Sequence, residues 1–200
     1  MAYPELAAKP LRPSVLSMDG ISRHMIEEHY KLYQGYVNKV NEIMKKLGSV
    51  DRSTANQTYS DLRELKLELS FALGGVKSHE TYFGHLGGHG GQPHGDLLAM
   101  IQRDFGSYEN WAADLKQTGV AARGWVWLAY DWDYGQLFNF LGDGHNTYPI
   151  WNASVLLALD TYEHAYFIDY GTGRPAYIDA FLRNLDWDVV AGRFESLHVD

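Results

Sequence analysis

Residues 160–166 read Asp-Thr-Tyr-Glu-His-Ala-Tyr, "DTYEHAY", directly behind the apolar run "SVLLAL" at 154–159. Such a run suits a strand that packs inside the molecule, and it delivers Asp160 and, four residues on, His164 to its end. A buried carboxylate with no partner is costly, so Asp160 should face something that compensates it. That compensating group has to come from elsewhere in the chain.

Upstream, "ISRHMIEEHYKLYQGYVNKVNEIMKKL" (21–47) repeats apolar residues at Met25, Leu32, Tyr36, Val40, Ile43 and Leu47, a helical spacing that Gly48 ends. The polar stretch "SVDRSTANQTYSD" is a loop. A second helix should start near Thr58 or Ser60 and run towards His79 and Phe83, which gives a helical hairpin. The first 20 residues, broken by Pro4, Pro10 and Pro13, read as an extended arm.

"GHLGGHGGQPHG" (84–95) reads as a loop between domains. Beyond it, "DLLAMIQRDF" and "YENWAADLKQTGVAA" look helical. "WVWLAYD" and "QLFNFLGD" have the composition of a β-hairpin, and "YPIWNASVLLALD" (148–160) that of a third strand. "RPAYIDAFLRNL" and "WDVVAGRFESL" close the chain as helices. The fold class is therefore α+β: an all-α hairpin domain over 1–87, then an α+β domain over 88–200 with a small three-stranded antiparallel sheet.

Composition narrows the function. The net charge is −8 and no Lys/Arg block stands out, which argues against nucleic acid as a partner. Without cysteine there are no disulfides, thiolate metal sites or thiol catalysis. No apolar run has the roughly 18 residues needed to cross a bilayer, and the N-terminus lacks a signal-peptide core, so the expectation is a cytoplasmic protein.

Of the nine histidines, His85, His89 and His94 fall in the glycine-rich loop and read as solvent-exposed, and His24 and His198 have no evident partners. His29, His79, Asp160 and His164 differ, because each lies on or at the end of a predicted element. They are either four unrelated core polar residues or an N3O ligand set suited to iron or manganese. In the second case Asp160 faces a metal.

Order and surroundings favour the second. "DTYEHAYFIDYGTGRP" resembles the Asp-x-Trp-Glu-His-Ala-Tyr segment of iron/manganese superoxide dismutases. "GGVKSHETYF", "GQPHGDLLAMIQRDFGSYENW", "RGWVWL" and "NLDWDVVAGRF" resemble further segments of that family, from about Ile21 to Phe194. The resemblance implies His29, His79, Asp160 and His164 as ligands to one Fe or Mn ion per subunit. It implies superoxide as substrate, disproportionated to O2 and hydrogen peroxide, with Tyr36 and His145 relaying protons. It further implies Glu163 bridging to the partner's last ligand His in a homodimer or dimer of dimers, and Arg174 and Lys31 lining an anion funnel.

The chain also departs from the family pattern. Tyr36 follows His29 by seven residues where the family has eight, so alignment from the right puts Glu28 at the first ligand position. Loss of one residue within a helix, as when a π-bulge disappears, would keep His29. The gateway His of the family is Tyr33 or Leu32 here, and its Trp and Tyr are Tyr162 and Phe167. These changes leave a second reading open: a metal-binding relative with a different redox activity or with none. A ferritin-like site would need paired Glu-x-x-His motifs, and only Glu195/His198 has that spacing.

Overall fold

The computed structural model describes residues 4–146 and 151–199. Helix α1 (Arg23–Ser49) begins where the Ser22 side chain accepts the Met25 N–H at 3.1 Å, and it buries Met25, Ile26, His29, Tyr33, Val37 and Val40 along one stripe. Helix α2 (Asp61–Gly84) starts in the same way, Ser60 accepting from Arg63 N at 3.2 Å. The two pack together as a hairpin. Helix α1 is α-helical from end to end, so His29 and Tyr36 are two regular turns apart.

Helices α3 (Gly95–Phe105) and α4 (Tyr108–Ala121) lead into strands β1 (Trp125–Asp131), β2 (Gln136–Gly142) and β3 (Ala153–Asp160), an antiparallel sheet of order β2-β1-β3. At the β1–β2 turn, Asp131 Oδ1 accepts the N–H groups of Asp133 and Tyr134, and Gly135 takes φ +63°. Of the stretch expected to form the third strand, Tyr148, Pro149 and Ile150 lie outside the described residues, and the strand begins at Ala153. Helices α5 (Phe167–Tyr170), α6 (Arg174–Arg183) and α7 (Trp187–Glu195) complete the chain.

Two expectations need correction. The N-terminal arm is not extended throughout: Pro13–Ser17 forms a 3-10 turn that buries Val15 completely. Proline at the start of a helical turn favours it, because the missing N–H is unpaired there in any case. His85 is not a solvent-exposed loop residue. It caps α2, is fully buried, and its Nε2 accepts the Ala158 N–H at 3.0 Å, covering the open edge of β3. His89 and His94 are exposed as expected, and His24 and His198 are exposed too.

Candidate metal centre

Register places the centre. Trp125 opposes Asp160 across β1 and β3, so the end of the sheet carries both the carboxylate and an indole N–H. Helices α1 and α2 bring His29 and His79 over that end, and a short 3-10 turn (Glu163–Ala165) folds His164 back. One ligand atom from each of His29, His79, Asp160 and His164 lies within 4.8 Å of the others. His29 Nε2 and His164 Nε2 each sit 3.1 Å from Asp160 Oδ2. Asp160 Oδ1 accepts from Tyr162 N at 2.9 Å, which fixes the carboxylate plane.

His79 reveals what the cluster lacks. Its Nδ1–H donates to the Gly75 carbonyl at 2.7 Å, one helical turn back, so Nε2 carries a lone pair. That Nε2 is buried and has no hydrogen-bond partner. A buried acceptor turned towards a carboxylate and two more imidazoles fits a cation. Three imidazoles, one carboxylate and no thiolate are the donor set that iron and manganese accept. Burial pushes the His29 imidazole below its usual pKa and that of His79 down to about 3, so both nitrogens are kept in the form that can ligate. Burial alone would push the Asp160 carboxyl up, but the imidazoles of His164 and His29 outweigh it and hold it below the usual carboxylate range.

Glu28 lies outside the cluster. Its carboxylate points to the surface and pairs with Lys31 at 2.5 Å. Lys31 is thereby engaged, and so is Arg174, which donates to the Ala122 carbonyl at 2.6 Å and to Tyr166 Oη at 3.1 Å. Arg174 thus ties the α4–β1 connection to α6. Leu32 is exposed, whereas Tyr33 is buried and stacks on the His79 ring at 6.3 Å between centroids. The Tyr33 hydroxyl accepts from Lys9 N at 2.8 Å and donates to Glu80 at 3.0 Å, so the N-terminal arm is fastened behind a cluster residue.

Tyr36 and His145 meet beside the cluster. Trp125 Nε1–H, which can only donate, reaches His145 Nδ1 at 2.9 Å. Burial lowers the His145 pKa to about 4, so the ring is neutral at pH 7 and its one proton must sit on Nε2. Nε2–H therefore donates to the Tyr36 oxygen at 2.7 Å, leaving the Tyr36 hydroxyl hydrogen free to point elsewhere. Burial, with Asp160 adding to it, raises the Tyr36 pKa, so the phenol keeps that hydrogen.

Two glycines make room for this pair, and the sequence reading did not single them out. A Cβ on Gly74 would overlap the His145 carbonyl, and one on Gly75 would come within 2.9 Å of the Tyr36 ring. The signal was available: paired glycines inside a helical pattern cost helix stability and usually mark a close approach.

Comparison with known proteins identifies the family. The alpha-hairpin domain model of iron/manganese superoxide dismutases matches residues 16–87, and the C-terminal domain model matches residues 93–193. The chain belongs to the iron/manganese superoxide dismutase family. A superoxide dismutase [Fe] of Aquifex aeolicus is 46% identical over 184 residues, 90% of this chain and 86% of the relative. A superoxide dismutase [Fe] of Cupriavidus metallidurans is 38% identical over 190 residues, 93% and 94% of the two chains. A superoxide dismutase [Mn] 2 of Halobacterium salinarum is 34% identical over 194 residues, 90% and 91%. Relatives named for either metal thus align with about nine-tenths of this chain. Among the described residues no helix is long and apolar enough to cross a membrane.

Proposed function

We propose that the protein is a superoxide dismutase holding one iron or manganese ion per subunit through His29, His79, Asp160 and His164. The observation that carries this reading is the buried, unpartnered Nε2 of His79, facing a carboxylate and two further imidazoles. When bound, the metal supplies one-electron chemistry between its +3 and +2 states. The chain's own residues then manage access and protons, because peroxide formation consumes two protons that a buried site does not receive freely. Tyr36 lies against His79, with ring centroids 5.4 Å apart, and His145, held by Trp125, keeps the Tyr36 hydrogen available rather than accepting it. Asp160 contributes the negative charge that favours the oxidised ion.

In this reading the domains divide at 87/88, a boundary supported by the two family matches. The protein would be a homodimer or dimer of dimers through Glu163 and His164. Glu163 is exposed, His164 is partly so, and the neighbouring Phe167 and Ile168 present apolar surface at 51% and 48% exposure.

The test is superoxide decay by stopped flow on protein whose iron and manganese have been quantified. Decay should scale with bound metal, disappear in His29→Ala and persist in Glu28→Gln. Bound metal with no decay above that of the free ion would mean that ligands and fold serve another reaction.

A further inference from the structure

A cleft of about 430 Å3 opens where α2, the sheet, α7 and the N-terminal arm meet, and it shares no residue with the cluster or with the Tyr36–His145 pair. Its charges do not balance. Glu80, the carboxylate in its wall, is already engaged twice, accepting from Tyr33 and pairing with Lys9. Asp186 does not line the cleft and is taken by Arg12 at 2.8 Å. Arg193 and Lys77 are left, and among the described residues neither has a carboxylate within salt-bridge distance. Arg193 is half-buried and its guanidinium reaches only carbonyl oxygens, Leu156 at 2.8 Å and Thr81 at 3.4 Å. A partly desolvated cation without counter-charge is unfavourable, the more so with the Arg12 charge near it. In a chain of net charge −8, two cations unmatched at one cleft call for an external anion.

The floor adds a second requirement. It is formed by Trp127, whose indole is partly exposed, and by Val155, 46% exposed although the next five residues of its strand are buried. Apolar floor and cationic rim together suit a flat apolar anion, and the volume lies within the range of small-molecule sites. We propose that this cleft binds a small aromatic carboxylate, its anionic end held by Arg193 and Lys77 and its ring lying on Trp127 and Val155. A guanidinium matches a carboxylate in both charge and shape. An inorganic anion would satisfy the rim and leave the floor uncovered.

The experiment uses the full-length, metal-loaded protein and 2-naphthoate as probe, followed by calorimetry and tryptophan fluorescence. The expected result is saturable binding to one site per chain, at least about tenfold weaker for the uncharged 2-naphthamide, since the charged contact is then lost. Lys77→Glu, at an exposed position, should abolish binding while superoxide decay stays at the wild-type rate. Trp127→Phe should keep most of the binding heat and lose the fluorescence change. Equal binding of acid and amide, wild-type affinity in Lys77→Glu, or the absence of saturation would each overturn the assignment. So would inorganic phosphate that competes as well as naphthoate, because the apolar floor would then contribute nothing.

Discussion

His79 and His85 lie six residues apart at the C-terminal end of α2, both fully buried and both brought to a pKa of about 3 chiefly by burial. Their surroundings diverge. His79 lies among Asp160, His29 and His164, and its Nε2 has no partner. The Nε2 of His85 is bonded to the Ala158 backbone, and its nearest charges are the cations Arg193 and Arg12. Neither burial nor a lowered pKa separates the metal-site candidate from the structural residue. Nor does a ring nitrogen without a partner, since His85 Nδ1 is buried and unpaired as well. The sign of the neighbouring charge does, a carboxylate and imidazoles at His79 against two arginines at His85.

The sharpest way to break this contrast is to truncate each ring in turn. His79→Ala should lose bound metal and at least about a thousandfold of superoxide decay while the chain still folds, since it removes a ligand rather than a strand contact. His85→Ala should retain metal and decay per metal but lose about 3 kcal/mol of stability, because it leaves a cavity and strands the Ala158 N–H. Metal analysis and urea denaturation on both variants check the pair, and a His85→Ala protein that folds normally without metal would erase the distinction.

Tyr36→Phe tests the region between these extremes. It removes the hydrogen held ready beside the cluster but no ligand, so turnover should fall about a hundredfold with metal content unchanged. Loss of metal instead would assign Tyr36 a structural part in the site.

The contrast also has a pH dependence. For His85 the folded pKa, about 3, lies below the ordinary 6.5. Between those values the unfolded chain binds a proton that the folded one refuses, so the stability is present above pH 6.5 and is lost as pH falls towards 3. Between pH 7 and pH 5 this amounts to about 2 kcal/mol for the one residue. Urea midpoints of wild type and His85→Gln, whose amide can still accept the Ala158 N–H, should therefore converge by that amount over the interval. Parallel pH profiles would show that His85 is not held neutral by its site.

The same residues show what was legible beforehand. Periodicity and turn residues marked both hairpin helices and the three strands, because burial of one stripe or face is written locally. His29, His79, Asp160 and His164 stood out by residue type and order. Their convergence was not readable from spacing, since it depends on the β1–β3 register that sets Asp160 opposite Trp125. The choice between Glu28 and His29 turned on one residue of helical phase, and the fold puts Glu28 on the surface beside Lys31. His85 was misread because its glycine-rich neighbours suggest exposure, whereas its burial is decided by a strand edge 73 residues away. Gly74 and Gly75 were visible as helix-weakening residues, but what they admit, the His145 carbonyl and the Tyr36 ring, comes from other parts of the chain.

The smallest effect belongs to Trp125→Phe. The indole N–H obliges His145 Nδ1 to accept, and phenylalanine keeps much of the ring packing against His79 and Trp127. Without that donor the two neutral tautomers of His145 become closer in energy. In the Nδ1–H form, Nε2 accepts from Tyr36 and takes up the hydrogen that the wild type keeps free. If the forms become equally populated, half of the molecules at any moment lack the ready donor, and turnover falls by about twofold. Activity alone cannot distinguish this from a small packing change. The nitrogen chemical shifts of His145 in the metal-free protein can, because the two tautomers place the proton on different atoms. Wild type should show Nε2 protonated and the variant a mixture. A variant that keeps the wild-type shifts would mean that the Tyr36 contact, and not the indole, selects the tautomer. The twofold loss would then have to come from repacking around Trp127.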